Sequence, residues 1–148
     1  MKPTATSPGA VVDEADLLSQ ARAVRQRAYA PYSHFHVGAA VLTADGRVHV
    51  GANVENASYG MTMCAERVAI GTMLTSGDRG PIVAVAVVGD GDDPLTPCGA
   101  CRQVIFEFGP DAVVYGSGDG GRPSRSTIRE LLPHAFGPMR LGQGTTDA

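Results

Sequence analysis

The rhythm of apolar residues changes along the chain, and each change marks an element. Between Asp13 and Pro31, Leu17, Leu18, Ala21, Val24 and Ala28 recur at the spacing of an amphipathic helix. Asp13 is placed to cap it, Glu14 and Asp16 sit where the helix dipole favours negative charge, and Pro31 ends the run after Tyr29. From residue 35 the pattern becomes β-rich: the runs 35–43 and 47–53 flank Asp45-Gly46, a strong hairpin signal. Residues 53–63 show no period and predict a loop leading into a helix over 64–76, stopped by Gly77. The run 82–89 is almost wholly apolar and β-branched, as expected of a strand buried on both faces in the middle of a sheet. A loop over 90–97, a helix over 98–108, a short strand over 112–115, a Gly-rich turn over 117–124 and a short helix over 127–132 complete the pattern.

The order α-β-β-α-β-α-β-α predicts a three-layer α/β domain, with helices on both faces of a mixed sheet whose first two strands are antiparallel. One domain over 13–137 is expected, with a loose arm at 1–12 and an irregular tail at 138–148. Apolar residues at 43% and charged residues at 18% are ordinary globular values and exclude a disordered or fibrous chain. The formal charge of −3, with no basic run interleaved with aromatics, argues against nucleic acid as a partner and favours a small, weakly charged ligand. No apolar stretch approaches the roughly 20 residues of a membrane span, and residues 1–10 are polar and small, so a cytoplasmic protein without membrane contact is expected. Three cysteines, two of them in Cys-x-x-Cys, suit metal binding in a reducing compartment better than a disulfide framework.

Those cysteines carry the chemistry. Cys64-Ala65-Glu66 and Pro97-Cys98-Gly99-Ala100-Cys101 supply three thiolates, which leaves one corner of a tetrahedral zinc open for water, as a catalytic site requires. Three thiolates make the site net negative; the N-termini of the two predicted helices would offset that charge. Glu66, two residues from Cys64, is the candidate for moving that water's proton. Arg67 and Arg102 follow Glu66 and Cys101 and are candidates to donate to the thiolates or to fix the local backbone, the plainer alternative being surface salt bridges. Cys-x-Glu followed by Pro-Cys-x-x-Cys is the signature of zinc-dependent deaminases, matched here rather than deduced. Two other readings stand beside it. Cys98-Gly99-Ala100-Cys101 at a helix start also resembles a thioredoxin-type thiol pair, which would need neither Cys64 nor Glu66, and a binding module with structural zinc would need a fourth protein ligand. His34, His36, His49 and His134 lack ligand spacing and are expected at the surface or an interface, and Met61 and Met63 are read as packing.

Longer stretches carry a family resemblance. They are Pro31-Tyr32-Ser33-x-Phe35, Val37-Gly38-Ala39-Ala40, Gly51-x-Asn53-Val54-Glu55-Asn56-Ala57-Ser58-Tyr59-Gly60, Cys64-Ala65-Glu66-Arg67, Pro97-Cys98-Gly99-Ala100-Cys101-Arg102-Gln103-Val104 and Glu130-Leu131-Leu132-Pro133-x-Ala135-Phe136. From about residue 14 to residue 137 the chain resembles the small, homotetrameric, zinc-dependent cytidine deaminases. The resemblance implies a three-layer α-β-α domain with a mixed five-stranded sheet and one Zn²⁺ per chain on Cys64, Cys98 and Cys101. It implies Glu66 as proton shuttle, Phe35 stacked on the base, Ala65 addressing the pyrimidine edge through its backbone, and Asn53 and Glu55 on the ribose. Two residues apart, Asn53 and Glu55 share a strand face, so both can reach one sugar. Ala57, Tyr59 and Phe136 would reach into a neighbouring subunit's pocket, giving a homotetramer with shared active sites. The implied reaction is hydrolytic deamination of cytidine and 2′-deoxycytidine to uridine and 2′-deoxyuridine with release of ammonia, in pyrimidine salvage. Blasticidin S-type aminonucleoside deaminases share the zinc motif but alter the ribose signature and the aromatic, whereas Phe35 and Asn53-Val54-Glu55-Asn56 keep the nucleoside form. Departures from the pattern are His36, the segment Gly60-Met61-Thr62-Met63, and the Gly-rich turn at 116–121.

Overall fold

A computed structural model describes residues 11–143. Most of the arm at 1–12 and the end of the tail at 138–148 therefore lie outside the described residues. Helix α1 spans Glu14–Arg25, with the Asp13 carboxylate accepting the Asp16 N–H at 3.0 Å. Strands β1 (Val37–Thr43) and β2 (Val48–Ala52) form the hairpin. Gly46 sits in its turn at φ 91°, a conformation that favours glycine. Helix α2 (Ala65–Thr75), strand β3 (Ile82–Gly89), helix α3 (Gly99–Phe108), strands β4 (Val113–Ser117) and β5 (Ser124–Thr127), and the short helix α4 (Ile128–Leu131) follow.

The five strands are ordered β2-β1-β3-β4-β5, with β3 central as its unbroken apolar run predicts. Only β3 and β4 pair in parallel; the other neighbours are antiparallel. Alternation along the strands divides the core in two. Ala39, Val41, Val85, Val87 and Val114 pack with Ala69, Ile70 and Met73 of α2, Ile105 of α3 and Ile128 of α4. Ala40, Leu42, Ala84, Ala86, Val88 and Tyr115 face Leu17, Leu18 and Ala21 of α1. The result is the expected sandwich of helices around a mixed sheet. Both hairpin strands need a glycine at their closest helix contact. A Cβ at Gly38 would collide with the Ala21 carbonyl of α1, and one at Gly51 would lie 2.8 Å from the Ala65 carbonyl of α2.

Three expectations change. The α1 stripe predicted a helix to Tyr29, but the helix stops at Arg25 because Tyr29 is drawn into strand-like pairing: its N–H donates to the Asn53 carbonyl and its carbonyl accepts the Glu55 N–H, both at 2.9 Å. Strand β5, read as part of a turn and a helix start, is polar and lies at the sheet edge, where no apolar alternation marks it. His49, expected at the surface or an interface, has a side chain only 10% exposed, with Nε2 2.8 Å from Asp78 inside the same chain.

Candidate metal centre and active site

Both cysteine segments meet the sheet at helix starts. Cys64 caps α2 and Cys98 caps α3, each in extended conformation, while Cys101 lies one turn into α3 and is fully buried. The three sulfurs lie within 4.8 Å of one another, and Cys64 Sγ is 3.9 Å from Cys98 Sγ. Three soft donors this close, held on two helix N-termini that stabilise thiolate charge, fit a zinc ion with one position left over. Among the described residues no histidine joins the cluster. Arg67 donates from Nη2 to Cys64 Sγ at 3.7 Å and to the Thr62 carbonyl at 3.2 Å. Arg102 makes its hydrogen bonds to oxygens instead. It donates to the Pro97 and Leu131 carbonyls at 2.7 and 2.9 Å and fixes the approach to Cys98 rather than a thiol.

The first cause of the low Cys64 pKa, about 5, is its bond to Cys101, with Arg67 and Cys98 adding to it. The Cys101 pKa is pushed up by its bond to Cys64 and by burial. Glu66 is 4% exposed in the first turn of α2, and burial, with the charge of Cys64 beside it, raises its pKa to about 7.

A cavity of about 200 Å³ opens beside the sulfurs. Phe35 and Val37 line it from the start of β1, Asn53 from just past β2, and Ala65 and Glu66 from α2. Thr62 and Met63, which precede Cys64, and Leu95 and Thr96, which precede Pro97-Cys98, complete it. Those lining residues had no motif of their own; their one signal is that each pair lies just before a cysteine that starts a helix. Met63 is thus a wall residue, while Met61 is 66% exposed.

The remaining expected site residues divide. The Asn53 amide is buried and already ties down strand β1, accepting the Val37 N–H on Oδ1 and donating from Nδ2 to the Phe35 carbonyl, both at 2.9 Å. Glu55 does not line the cavity. Its Oε1 accepts the Tyr32 and Ser33 N–H groups at 2.9 and 3.1 Å and its Oε2 accepts the Ser33 hydroxyl, which leads the bonds that hold its pKa below the usual range. Ala57, Tyr59 and Phe136 are exposed and outside this chain's own cavity, with Tyr59 edge-on to Tyr32 at 5.9 Å between ring centres.

A cluster of three thiols that could hold a metal ion, two of them lining a ligand-sized cavity with a buried carboxylate, is the arrangement of a hydrolytic enzyme site. A family model described as "Cytidine and deoxycytidylate deaminase zinc-binding region" matches residues 12–117, and the chain belongs to that family. It is 50% identical over 126 residues to a cytidine deaminase of Halalkalibacterium halodurans, covering 84% of this chain and 95% of the relative. A cytidine deaminase of Mycobacterium tuberculosis is 46% identical over 110 residues, covering 74% and 79%. The crystal structure of cytidine deaminase from Burkholderia pseudomallei superposes with a TM-score of 0.81 at 47% identity, covering 84% of this chain and all of that one.

Proposed function

We propose that this protein is a zinc-dependent cytidine deaminase that also takes 2′-deoxycytidine. The observation that carries the reading is Glu66, buried in the cavity next to three sulfurs fit for one zinc per chain. Zinc, when bound, supplies the Lewis acidity that makes water a nucleophile at neutral pH. Cys64, Cys98 and Cys101 would hold it. The Glu66 carboxylate accepts a proton from the attacking water and delivers it to ring N3 as oxygen adds to C4. It then carries the proton of the new C4 hydroxyl to the exocyclic nitrogen, so the C4–N bond breaks and ammonia leaves with uridine as product.

Phe35 faces the base across the cavity, and the Ala65 backbone addresses the pyrimidine edge. Asn53, on the cavity wall, keeps one N–H and lone-pair capacity beyond its two backbone bonds for a ribose hydroxyl; Glu55, outside the cavity lining, accepts three hydrogen bonds of the roughly four a carboxylate can take and would reach the ribose only from beyond that lining. Ala57, Tyr59 and Phe136 complete a neighbouring subunit's cavity in a homotetramer. A cytoplasmic role in pyrimidine salvage belongs to the same proposal; among the described residues no helix is long and apolar enough to cross a membrane.

The test is loss of the cytidine absorbance band, run beside 2′-deoxycytidine, 5-methylcytidine and blasticidin S, with metal analysis of the same sample. Turnover of cytidine at about one zinc per chain is expected. Faster turnover of blasticidin S, or reduction of a disulfide substrate by metal-free protein, overturns the reading. Full activity in a monomer at high dilution overturns the shared sites.

A further inference from the structure

The start of β1 is gripped from both edges by side chains that prolong the sheet beyond its last backbone pairs. Val37 pairs with Gly89 of β3, and Gly38 pairs with Ala52 of β2. The next residue after β2 is Asn53, whose amide holds the Phe35 carbonyl and the Val37 N–H. The next residue after β3 is Asp90. Its Oδ2 accepts the His36 N–H at 2.8 Å and lies 2.8 Å from His36 Nδ1. Successive N–H groups of an extended chain point to opposite edges, so Asn53 takes residues 35 and 37 while Asp90 takes residue 36 between them.

Asp90 is itself anchored. The Arg25 guanidinium, 12% exposed, lies 3.5 Å from Asp90 and 2.6 Å from Asp119, and it donates to the Gly89 carbonyl at 2.8 Å. Asp119 closes the loop by exchanging hydrogen bonds with the Gly91 backbone at 2.6 and 3.2 Å. The Phe35 ring and the Leu95 side chain meet over Gly89, where a Cβ would lie 3.1 Å from Phe35 Cζ and 2.8 Å from Leu95 Cδ2. One peptide therefore separates the Asp90 clamp, outside the cavity, from the aromatic wall inside it. Before Phe35 the chain turns at His34, φ 57°, so β1 has no regular strand upstream to stiffen it.

We propose that Asp90 is a positioning residue for the substrate: anchored by Arg25 and Asp119 and acting through His36, it sets where the Phe35 ring stands over the cavity. The proposal rests on the reading that Phe35 faces the base. A clamp of this kind changes how well the ring is held and leaves the proton chemistry at Glu66 untouched, so its loss raises KM more than it lowers kcat.

Steady-state kinetics on cytidine with Asp90→Ala, Phe35→Ala and the double variant test it, with zinc content and thermal unfolding measured on each protein. Asp90→Ala is expected to raise KM about tenfold while kcat stays within about threefold and zinc content is unchanged. In the Phe35→Ala background the same change is expected to add less than about twofold, because the two residues act in series. His36→Ala should show a smaller rise of about threefold, and His36→Asn, which puts an amide N–H where Nδ1 stands, should restore KM. Should Asp90→Ala not fold, Asp90→Asn and the His36 pair carry the same split. A fall in kcat with KM unchanged makes the cluster merely structural and overturns the proposal, as do additive effects of Asp90→Ala and Phe35→Ala. If Phe35→Ala raises KM and Asp90→Ala does not, this proposal falls while the deaminase reading stands; a wild-type protein that leaves cytidine intact removes both.

Discussion

Helix α2 carries a buried carboxylate at each end, and the two behave oppositely. Glu66, in the first turn, is 4% exposed, and Asp78, just past the last turn, is 2% exposed. Burial alone would raise the pKa of both. At Asp78 it is outweighed, because the Gly80 N–H (2.9 Å), His49 Nε2 (2.8 Å) and the Thr43 hydroxyl (2.8 Å) converge on the carboxylate, and its pKa lies below the usual range. Glu66 has its own N–H and the Cys101 thiol for support and the negative charge of Cys64 against it, so burial prevails and the pKa rises to about 7. Both side chains are nearly closed to solvent, but Glu66 lies deeper in the protein, so stronger desolvation and sparse support make it a group able to exchange protons while Asp78 stays a fixed anion. Depth and the number and charge of donors decide together.

The comparison has consequences that separate function from stability. Removing the metal with a chelator should abolish turnover, and zinc should restore it, checked by the cytidine assay with metal analysis at each step. Glu66→Gln should lower kcat by about 10² to 10⁴ while zinc content is kept and the unfolding midpoint does not fall, since the change removes a poorly supported charge. Asp78→Ala should do the reverse, costing about 2–3 kcal/mol in denaturant unfolding with kcat per folded chain unchanged. His49→Ala should cost about 1 kcal/mol, because Asp78 keeps its other donors. A drop in kcat for Asp78→Ala at unchanged stability would break the contrast.

The smallest effect is the dependence on pH. Because Asp78 titrates below its ordinary 3.8 when folded, the unfolded chain binds its proton first. Its contribution is complete above that value and disappears as pH falls through the lower folded pKa. Thermal unfolding followed on acidification below about pH 4 should therefore drop more steeply in the wild type than in Asp78→Asn.

Much of this was legible in the chain. The apolar run of β3, the Asp45-Gly46 hairpin and the cap at Asp13 are signals confined to a few neighbouring residues, and each produced its element. The cysteine spacing and Glu66 marked the site because ligands on a helix start must sit next to one another in sequence. Asp78 was not legible. Within Gly77-Asp78-Arg79-Gly80 it reads as part of a solvated turn, and its partners Thr43 and His49 come from a hairpin about thirty residues away. Arg102 was narrowed only by its contacts, since nothing in Cys101-Arg102 says that the guanidinium reaches back to Pro97 and across to Leu131.

The sequence by itself determined the periods, the caps and turns, and the identity of the three thiols with their carboxylate, since these depend on spacings of two to four residues that backbone geometry converts directly into faces and termini. Tertiary structure alone decided that Tyr29 leaves its helix to pair beside Asn53, that β5 adds a polar edge, and which buried carboxylate is held charged. Those outcomes depend on donors and pairing partners brought together from distant parts of the chain, and hydrogen-bond and desolvation energies exist only once the parts have met.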